Sequence, residues 1–367
     1  MDTSDHPPGP TTGPLNAHDE ALIHALQMAP RASWSLLGKV LGADPVTVAR
    51  RWERLHGTGR AWITAYPGLS LRKSLEVALV EVDCRAGRVE AVADALAREP
   101  QIVTVEHMAG GRDLLVTVFA PGLTGMSRLI LDRMSRLPGV VGTRAQLATQ
   151  VFGDGSRWRL RSLTEQQQSR LRAAAPAPGP APGSGPGPGP GPGPGFAAGR
   201  TTLRPDAVTR ALIPAVAADG RRSASELAAV AGVSAATVRR RLHQLIEARD
   251  LVLRCEVARE LTEWPVSATL WARVPADRVA ATARGLLSMA EVRLCASVTG
   301  PQNLLFTVWL RSVADVQRLE AQLAEHLPEL TLVDRAIALR QTKLMGRLIN
   351  PAGRAVDVVP LDIWAPG

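Results

Sequence analysis

The chain has 367 residues, of which 46% are hydrophobic and 21% are charged. This length accommodates two or more domains, and the composition is ordinary for a soluble globular protein. The formal net charge of +9 favours polyanionic partners such as nucleic acid. Its basic residues are nearly all arginine, since Lys39, Lys73 and Lys343 are the only lysines, and such a bias also arises from a GC-rich genome.

Cysteine usage and hydropathy exclude several protein classes. Cys84, Cys255 and Cys295 are far apart and form no CxxC pair, so neither a disulfide framework nor a zinc site is expected. No apolar stretch approaches the 18 or so residues of a membrane span. Residues 1–14 are polar and proline-rich, which is typical of a disordered tail and unlike a signal peptide. We therefore expect a cytoplasmic protein with no membrane partner, no metal and no cofactor.

The chain repeats itself at an offset of 190 residues. The segment 47–51 (TVARR) aligns with 237–241 (TVRRR), and 114–118 (LLVTV) aligns with 304–308 (LLFTV). A run of alanine, glycine and proline separates the two halves and predicts a flexible linker. Matches at one constant offset indicate two fused copies of a single unit.

Within each copy the pattern changes from helical to mixed. Three short helices are followed by segments that alternate in the order βαββαβ, which is the ferredoxin-like arrangement. We expect a tail at 1–14, helix-turn-helix units at 15–66 and 203–255, sandwich domains at 72–153 and 263–342, a linker at 171–200 and a C-terminal extension at 343–367. Apolar residues in this extension predict that it docks on a sandwich, as an extra strand for example.

The third helix of each unit carries outward arginines. In copy two, Gly232 permits a tight turn, Ser234 caps the next helix, and Val238 begins an apolar stripe that faces the core. In a helix-turn-helix domain, arginines on the outer face of such a helix contact bases and phosphates in the major groove. The alternative is a solvated helix face without a ligand. The predicted DNA-binding residues are Thr47, Arg50, Arg51, Arg54, Ser234, Thr237, Arg239, Arg240, Arg241 and Gln244.

The two predicted reading helices start differently. Copy one begins with Asp44 and Pro45, whereas copy two begins with Ser234 and Ala235. Both starts suit a helix N-terminus, but the carboxylate of Asp44 would repel a nearby phosphate. We expect copy two to bind DNA more strongly.

These motifs resemble the Lrp/AsnC family. Residues 219–228 (DGRRSASELA) are similar to its "DGRxSxxELA", and residues 232–242 (GVSAATVRRRL) are similar to its "GLSxxTVxRRIxRL". The resemblance implies an α+β fold in which two winged helix-turn-helix domains are each followed by a ferredoxin-like sandwich. It also implies a sequence-specific transcriptional regulator whose partners are double-stranded DNA and a small-molecule effector, for example an amino acid.

A glycine-rich hairpin in each sandwich matches the family's "VxGxxDxLL" segment, which implies an effector site at a dimer interface. The simpler interpretation is a turn in which glycine supplies a positive φ and aspartate forms the turn. Copy two has an asparagine in place of the acid, which predicts asymmetric sensing. The candidate effector residues are Gly110, Gly111, Arg112, Asp113, Gly300 and Asn303.

Fusion of two copies also predicts how they assemble. Because the linker joins the two sandwich domains, their pairing becomes intramolecular, with an effective concentration of roughly millimolar. One chain would then be a pseudo-dimer, and a homo-oligomer of chains is the other arrangement.

Two other functions are compatible with this architecture. Sirohaem decarboxylases resemble it and use Arg and His around a tetrapyrrole, but only His107 lies near the expected pocket here. No paired-carboxylate, Ser-His-Asp, Cys-His or phosphate-loop pattern is present, so we expect no enzyme activity. The remaining alternative is an interaction protein that keeps the fold and does not bind DNA.

Overall fold

The computed structural model describes residues 13–68, 75–174 and 206–363. Most of the predicted tail and linker therefore lies outside the described residues. The helices are α1 Ala17–Met28, α2 Trp34–Leu41, α3 Pro45–Gly57, α4 Val89–Ala97, α5 Gly122–Ser127, α6 Glu165–Ala174, α7 Ala207–Ala218, α8 Ala224–Ala231, α9 Ala235–Glu247, α10 Val279–Ser288 and α11 Asp315–His326. The strands are β1 Ala61–Pro67, β2 Glu76–Cys84, β3 Ile102–Ala109, β4 Leu114–Ala120, β5 Val140–Gly153, β6 Leu251–Val257, β7 Val266–Arg273, β8 Val292–Val298, β9 Leu304–Leu310, β10 Thr331–Leu344, β11 Arg347–Ile349 and β12 Ala355–Val358.

Each helical unit consists of three helices around a small apolar core. In the first unit Leu22 of α1, Leu37 of α2 and Leu55 of α3 are fully buried together. Each helix begins at a polar cap, as at Ser33, whose side chain accepts a hydrogen bond from the Leu36 amide. α2 ends at Gly42 with a φ of 68°, where glycine avoids the strain of a left-handed turn.

The strand after each helical unit pairs with the equivalent strand of the other unit. β1 and β6 run antiparallel from the Ala61–Val257 pair to the Pro67–Leu251 pair. We call these two strands the ribbon (residues 61–67 and 251–257). In the sequence, each strand follows the third helix of its unit, where a winged helix-turn-helix domain has its wing. The ribbon joins the two helix-turn-helix units to each other within one chain.

The two sandwiches share one continuous sheet. β2 to β5 and β7 to β10 each have the ferredoxin-like order, in which the first strand lies between the third and the fourth. The last strand of each sandwich is long, and it also pairs with the other copy: β5 with β8, and β10 with β3. Because β10 pairs with both β7 and β3, the eight strands close into a barrel.

Helices cover the outside of the barrel and bury one apolar face each. α4 and α5 pack on the first sandwich, where Val92, Leu96 and Met126 are buried. The segment from Met126 to Met134 is helical throughout, but it passes from α5 through a π turn at Arg128–Arg133 to a 3₁₀ turn at Met134–Arg136. α10 and α11 cover the second sandwich in the same way.

The C-terminal extension adds two strands at an edge, in agreement with the prediction. β11 pairs with β10 and with β12. The extension also contacts both helical units, since the Ala355 amide donates to the Gly59 carbonyl (3.0 Å) and Arg347 hydrogen-bonds the Ala218 carbonyl. It therefore fastens the two units to the barrel.

The architecture agrees with the expected α+β class, with two helix-turn-helix units and two ferredoxin-like sandwiches in tandem. None of the helices within the described ranges is long and apolar enough to cross a membrane.

Candidate nucleic-acid interface and interior cavity

The recognition helices α3 and α9 present polar residues on their outer faces. Val48 and Val238 begin the stripes that face the cores. Asp44 caps α3, and Ser234 caps α9 by accepting a hydrogen bond from the Thr237 amide (3.1 Å). The predicted contact residues that are exposed are Thr47, Arg50, Arg54, Ser234, Arg239, Arg240 and Gln244.

Three of the predicted contact residues form ion pairs within their own unit. Arg51 and Arg54 both donate to Asp19 Oδ1, at 2.9 and 3.0 Å, and Asp19 is only 2% exposed. Arg241, the equivalent of Arg51, pairs with Asp206 at the start of α7. These arginines fasten the recognition helix to the first helix, so their DNA contact stays a prediction. The partners lie 32 to 35 residues away in sequence, which is why no local pattern revealed them.

Two arginines make reciprocal contacts between the units. Arg31 donates to the carbonyls of Gly220 and Arg222, at 2.5 and 2.9 Å. Arg221, 190 residues later, donates to the carbonyls of Pro30 and Ala32, at 2.7 and 2.9 Å.

Pro30 and Ala32 are the repeat equivalents of Gly220 and Arg222. The two sets of hydrogen bonds are therefore related by the pseudo-twofold symmetry of the copies. Burial, together with the positive charge of Arg31 beside it, lowers the pKa of Arg221 to about 10. Together with the ribbon, this exchange holds the recognition helices in one fixed relation.

The hairpin residues predicted to meet an effector serve the fold. Asp113 Oδ2 accepts a hydrogen bond from the Cys84 amide at 2.7 Å. Asn303 Oδ1 accepts a hydrogen bond from the Val274 amide at 2.9 Å, and Asn303 Nδ2 donates to the Val274 carbonyl. Both side chains anchor the end of a neighbouring strand segment. Their contact with an effector stays a prediction.

The other hairpin residues lie in different surroundings. Gly110 and Gly300 have φ values of 133° and 116°, as the turn interpretation requires. Arg112 is buried between the copies, where it pairs with Glu81 (3.3 Å) and with Asp334, and its guanidinium carbon lies 4.0 Å from the ring centre of Trp271. Gly111 is exposed. The six residues therefore do not converge on one pocket.

A cavity that the sequence did not predict lies between the barrel and the ribbon. It has a volume of about 140 Å³. Both copies contribute to its wall, and none of the described residues that line it is a histidine. The lining residues are Tyr66, Val77, Leu79, Val103, Thr104, Glu106, Thr117, Phe119, Ala148, Val151, Asp154, Gly155, Arg254, Ser267, Arg293, Leu294, Ala296, Thr307, Trp309, Gln341, Leu344 and Met345.

Buried charges lie at one side of this cavity. Arg293 Nη2 lies 3.4 Å from Glu256 Oε2, and Arg254 pairs with the same carboxylate. The guanidinium carbon of Arg293 also lies 3.7 Å from the ring centre of Trp309. Burial, with repulsion from Arg254, lowers the pKa of Arg293 to about 9. Charged residues inside otherwise β-rich segments were the only sequence signal for this site.

Neither His107 nor any of the three cysteines lines the cavity. His107 Nε2 lies 2.9 Å from Thr342 Oγ1, away from the cavity. Burial raises the pKa of Cys84 to about 11, which keeps its thiol protonated. Within the described ranges, no group of three or more His, Cys, Asp or Glu residues is placed to hold a metal ion.

Comparisons with known proteins agree with this architecture. The model of the AsnC-type helix-turn-helix domain matches residues 15–56 and 206–246, and that of the Lrp/AsnC ligand binding domain matches residues 77–157. An uncharacterised HTH-type transcriptional regulator of Pyrococcus horikoshii is 26% identical over 139 residues, which are 37% of this chain and 87% of the relative. HTH-type transcriptional regulator FL11 of the same organism is 27% identical over 136 residues, 36% of this chain and 89% of the relative.

Solved structures of one other protein align with nearly the whole chain. The siroheme decarboxylase NirDL covers 90% of this chain and 93% of its own, with a TM-score of 0.52 and 16% sequence identity. At this identity the likeness establishes the shared fold and nothing about activity.

Proposed function

Because the chain belongs to the Lrp/AsnC family of transcriptional regulators in a tandem-duplicated form, we propose that one molecule is a complete sequence-specific DNA-binding regulator. The observation that carries this proposal is the fixed pairing of two helix-turn-helix units, each with exposed arginine on its recognition helix. Arg50 in the first unit and Arg240 in the second are equivalent and both exposed.

A single chain supplies two helix-turn-helix units and two sandwiches, which two separate subunits would otherwise supply. The barrel closes between the two sandwiches, and the ribbon closes between the two helical units. Operator binding would therefore need no second chain, and affinity would not depend on dimerisation. A homo-oligomer of chains would add further operator contacts without being required for the first.

The proposed operator has two related but unequal half-sites. The fixed relation of the helices sets their spacing, as in two-fold-symmetric regulators. The reading faces differ, because copy one has Ala49 where copy two has the exposed Arg239. Copy one also has Arg54, which pairs with Asp19, where copy two has the exposed Gln244. Gln suits bidentate contact with adenine, and Arg suits guanine. We propose that the contact set is Thr47, Arg50, Thr237, Arg239, Arg240 and Gln244, with Ser234 at the phosphate-facing helix start.

A small-molecule effector and a cytoplasmic location complete the proposal. The ligand-binding family model that matches the first sandwich supports an effector, and the helix-turn-helix relatives support a location beside the chromosome.

The enzyme alternative has one specific observation in its favour, which is the whole-chain fold of a siroheme decarboxylase. Against it stands the chemistry of the cavity wall, because none of the described residues that line the cavity is a histidine, which we expected beside a tetrapyrrole. We therefore favour a regulator without enzyme activity.

Chromatin immunoprecipitation with sequencing tests the proposal, because it finds the bound sites of an operator of any sequence. We expect discrete peaks that share an imperfect inverted repeat, and gel-shift titration of one such site should show a complex of one chain per DNA. Absence of any enriched site, together with a haem-like absorption band on addition of sirohaem, would favour the enzyme.

A further inference from the structure

The two copies meet along the ribbon and along two seams of the barrel, where β5 pairs with β8 and β10 pairs with β3. The two seams have equivalent registers, since the Val151–Ala296 pair becomes the Gln341–Glu106 pair when the copies are exchanged. The same backbone pairing is therefore open to two like copies, which are two first copies or two second copies from different chains. Only side chains can select unlike copies.

The centre of the ribbon selects against two second copies. Thr64 lies opposite Arg254 there, and the two residues are repeat equivalents. In a pair of second copies, Arg254 would lie opposite the same arginine of another chain. Like charges directly opposite each other destabilise antiparallel strands. The side chain of Arg254 is only 10% exposed, so solvent would screen this repulsion poorly.

Copy one also supplies acids that balance the buried arginines of copy two. Burial disfavours the charge on Arg254, but Glu256 of its own copy and Asp154 of copy one outweigh this effect and raise the pKa of Arg254. Glu106 of copy one lies in the same cavity wall, and Arg293 pairs with Glu256. A pair of second copies would lose both acids of copy one. Each copy would bring two arginines and one glutamate, so four arginines would share two glutamates.

The seam between β3 and β10 selects against two first copies. Glu106 accepts a hydrogen bond from Gln341 at 2.8 Å, and both side chains are buried. In a pair of first copies, Glu106 would lie opposite Val151, whose apolar side chain cannot donate a hydrogen bond. This loss would occur at both seams. A buried polar group that loses its partner is destabilising, because it has also lost its contact with water.

An ion pair near the hairpin of copy one has the same effect. Arg112 pairs with Asp334 of copy two, and the side chain of Arg112 is 6% exposed. The repeat equivalent of Asp334 is Arg144. In a pair of first copies, Arg144 would take the place of Asp334 beside Arg112, and an attraction would become a repulsion.

We propose that the two copies are a matched pair, in which the sandwich and ribbon of copy one bind only those of copy two. Two chains therefore do not pair through like copies. The predicted linker raises the local concentration of the right partner, whereas the buried groups exclude the wrong one. This inference concerns assembly and does not depend on whether the chain binds DNA.

Disulfide trapping across the seams tests the proposal. Thr149 Oγ1 lies 2.7 Å from Ser297 Oγ across the seam between β5 and β8, so Thr149→Cys with Ser297→Cys links unlike copies. The repeat equivalent of Ser297 is His107, which lies at the other seam within one chain. Thr149→Cys with His107→Cys therefore forms a link only between two first copies. Burial raises the pKa of the native cysteines and keeps their thiols from competing.

Each half must be free to choose its partner. Every variant therefore receives a protease site within residues 175–205, is cut after folding, and is unfolded and refolded before oxidation. We expect Thr149→Cys with Ser297→Cys to link, and Thr149→Cys with His107→Cys to give about tenfold less linked product or lower still. Non-reducing electrophoresis with mass spectrometry measures both products. Linked first halves in comparable amounts, or failure of the first variant to link, would overturn the proposal.

A third variant connects the result to Glu106. Glu106→Ala, added to Thr149→Cys with His107→Cys, gives copy one the residue that copy two has at Ala296. Removal of the buried carboxyl group should raise the yield of linked first halves by roughly threefold or more. That gain also shows that these halves fold and can link, so misfolding does not explain the low yield without it. An unchanged yield would overturn the selecting role of Glu106.

The same design tests two second copies. Ser297→Cys with Leu339→Cys links only second copies, because Leu339 is the repeat equivalent of Thr149. Arg254→Thr, which places the residue of copy one at the centre of the ribbon, should raise the low yield by roughly threefold or more. An unchanged yield would overturn the selecting role of Arg254.

Discussion

The guanidinium of Arg221, in the second helix-turn-helix unit, lies over the ring of Trp34 in the first, with its central carbon 3.8 Å from the ring centre. The same side chain donates to two carbonyl groups of the first unit. One arginine therefore makes three contacts across the boundary between the copies.

Arg221→Ala should loosen the two helical units. The loss of two charge-assisted hydrogen bonds and a cation–π contact should lower the free energy of unfolding by about 2–3 kcal/mol. Denaturant titration measures this change. Arg210→Ala is the control, since Arg210 is exposed on α7 of the same unit and the substitution removes the same charge. Equal stability of the two variants would mean that Arg221 does not fasten the units.

Removal of one exposed recognition arginine should weaken operator binding. Arg50→Ala and Arg240→Ala should each lower affinity about tenfold and reduce the slope of log K against log salt by about one, because one phosphate or base contact is lost. Arg240→Ala should have the larger effect, because α9 has Ser234 at the position where α3 has Asp44, whose carboxylate repels phosphate. Gel-shift titration over a salt series measures both quantities.

Arg284→Ala is the charge-matched control for that series. Arg284 is exposed on α10, on the outside of the barrel. If this variant loses as much affinity as Arg240→Ala, net charge and not the recognition helix carries the binding.

The sequence sufficed for the positions of most elements. Alternation in copy two predicts strands near 266–274, 292–298 and 304–310, and each lies within one residue of the strand in the structure. The strand predicted near 331–339 begins at Thr331 but continues to Leu344. Alternation and helical spacing are local signals, and the 190-residue repeat presents them twice. The caps of α3 and α9 were predictable for the same reason.

Alternation and helical spacing are local signals, so they could not predict contacts between segments that are distant in the sequence. Asp19 approaches Arg51 and Arg54 only after α1 and α3 have packed. The cavity is assembled from ribbon and barrel residues as far apart as Tyr66 and Met345. α6 packs its Leu171 into the core of the first helical unit, although its polar sequence gives a weak helical pattern. Each of these features depends on tertiary packing.

Asp113 offers a test that separates anchoring from effector contact. Asp113→Asn should keep the hydrogen bond to the Cys84 amide, because Asn303 already makes the equivalent bond to Val274. Asp113→Ala should leave that amide unsatisfied and cost about 1–2 kcal/mol of stability. Thermal unfolding distinguishes the two variants. If Asp113→Asn abolishes effector binding while stability is kept, the carboxylate contacts the ligand after all.

Lys343 should make stability depend on pH. Its side chain is 0% exposed, Nζ donates to the Glu99 carbonyl at 2.8 Å, and burial lowers its pKa to about 7. Since the unfolded chain holds this proton up to a pH near 10.5, it binds more protons than the folded chain between those values, and stability rises with pH across that window. Lys343→Met removes the cost of burying this charge and should be more stable than the wild type at pH 7 by roughly 4 kcal/mol, with the advantage gone near pH 10.5. Denaturant titrations of both proteins at several pH values measure the difference, in which other titrating groups cancel. A difference that does not vary with pH would show that Lys343 is fully solvated in the folded chain.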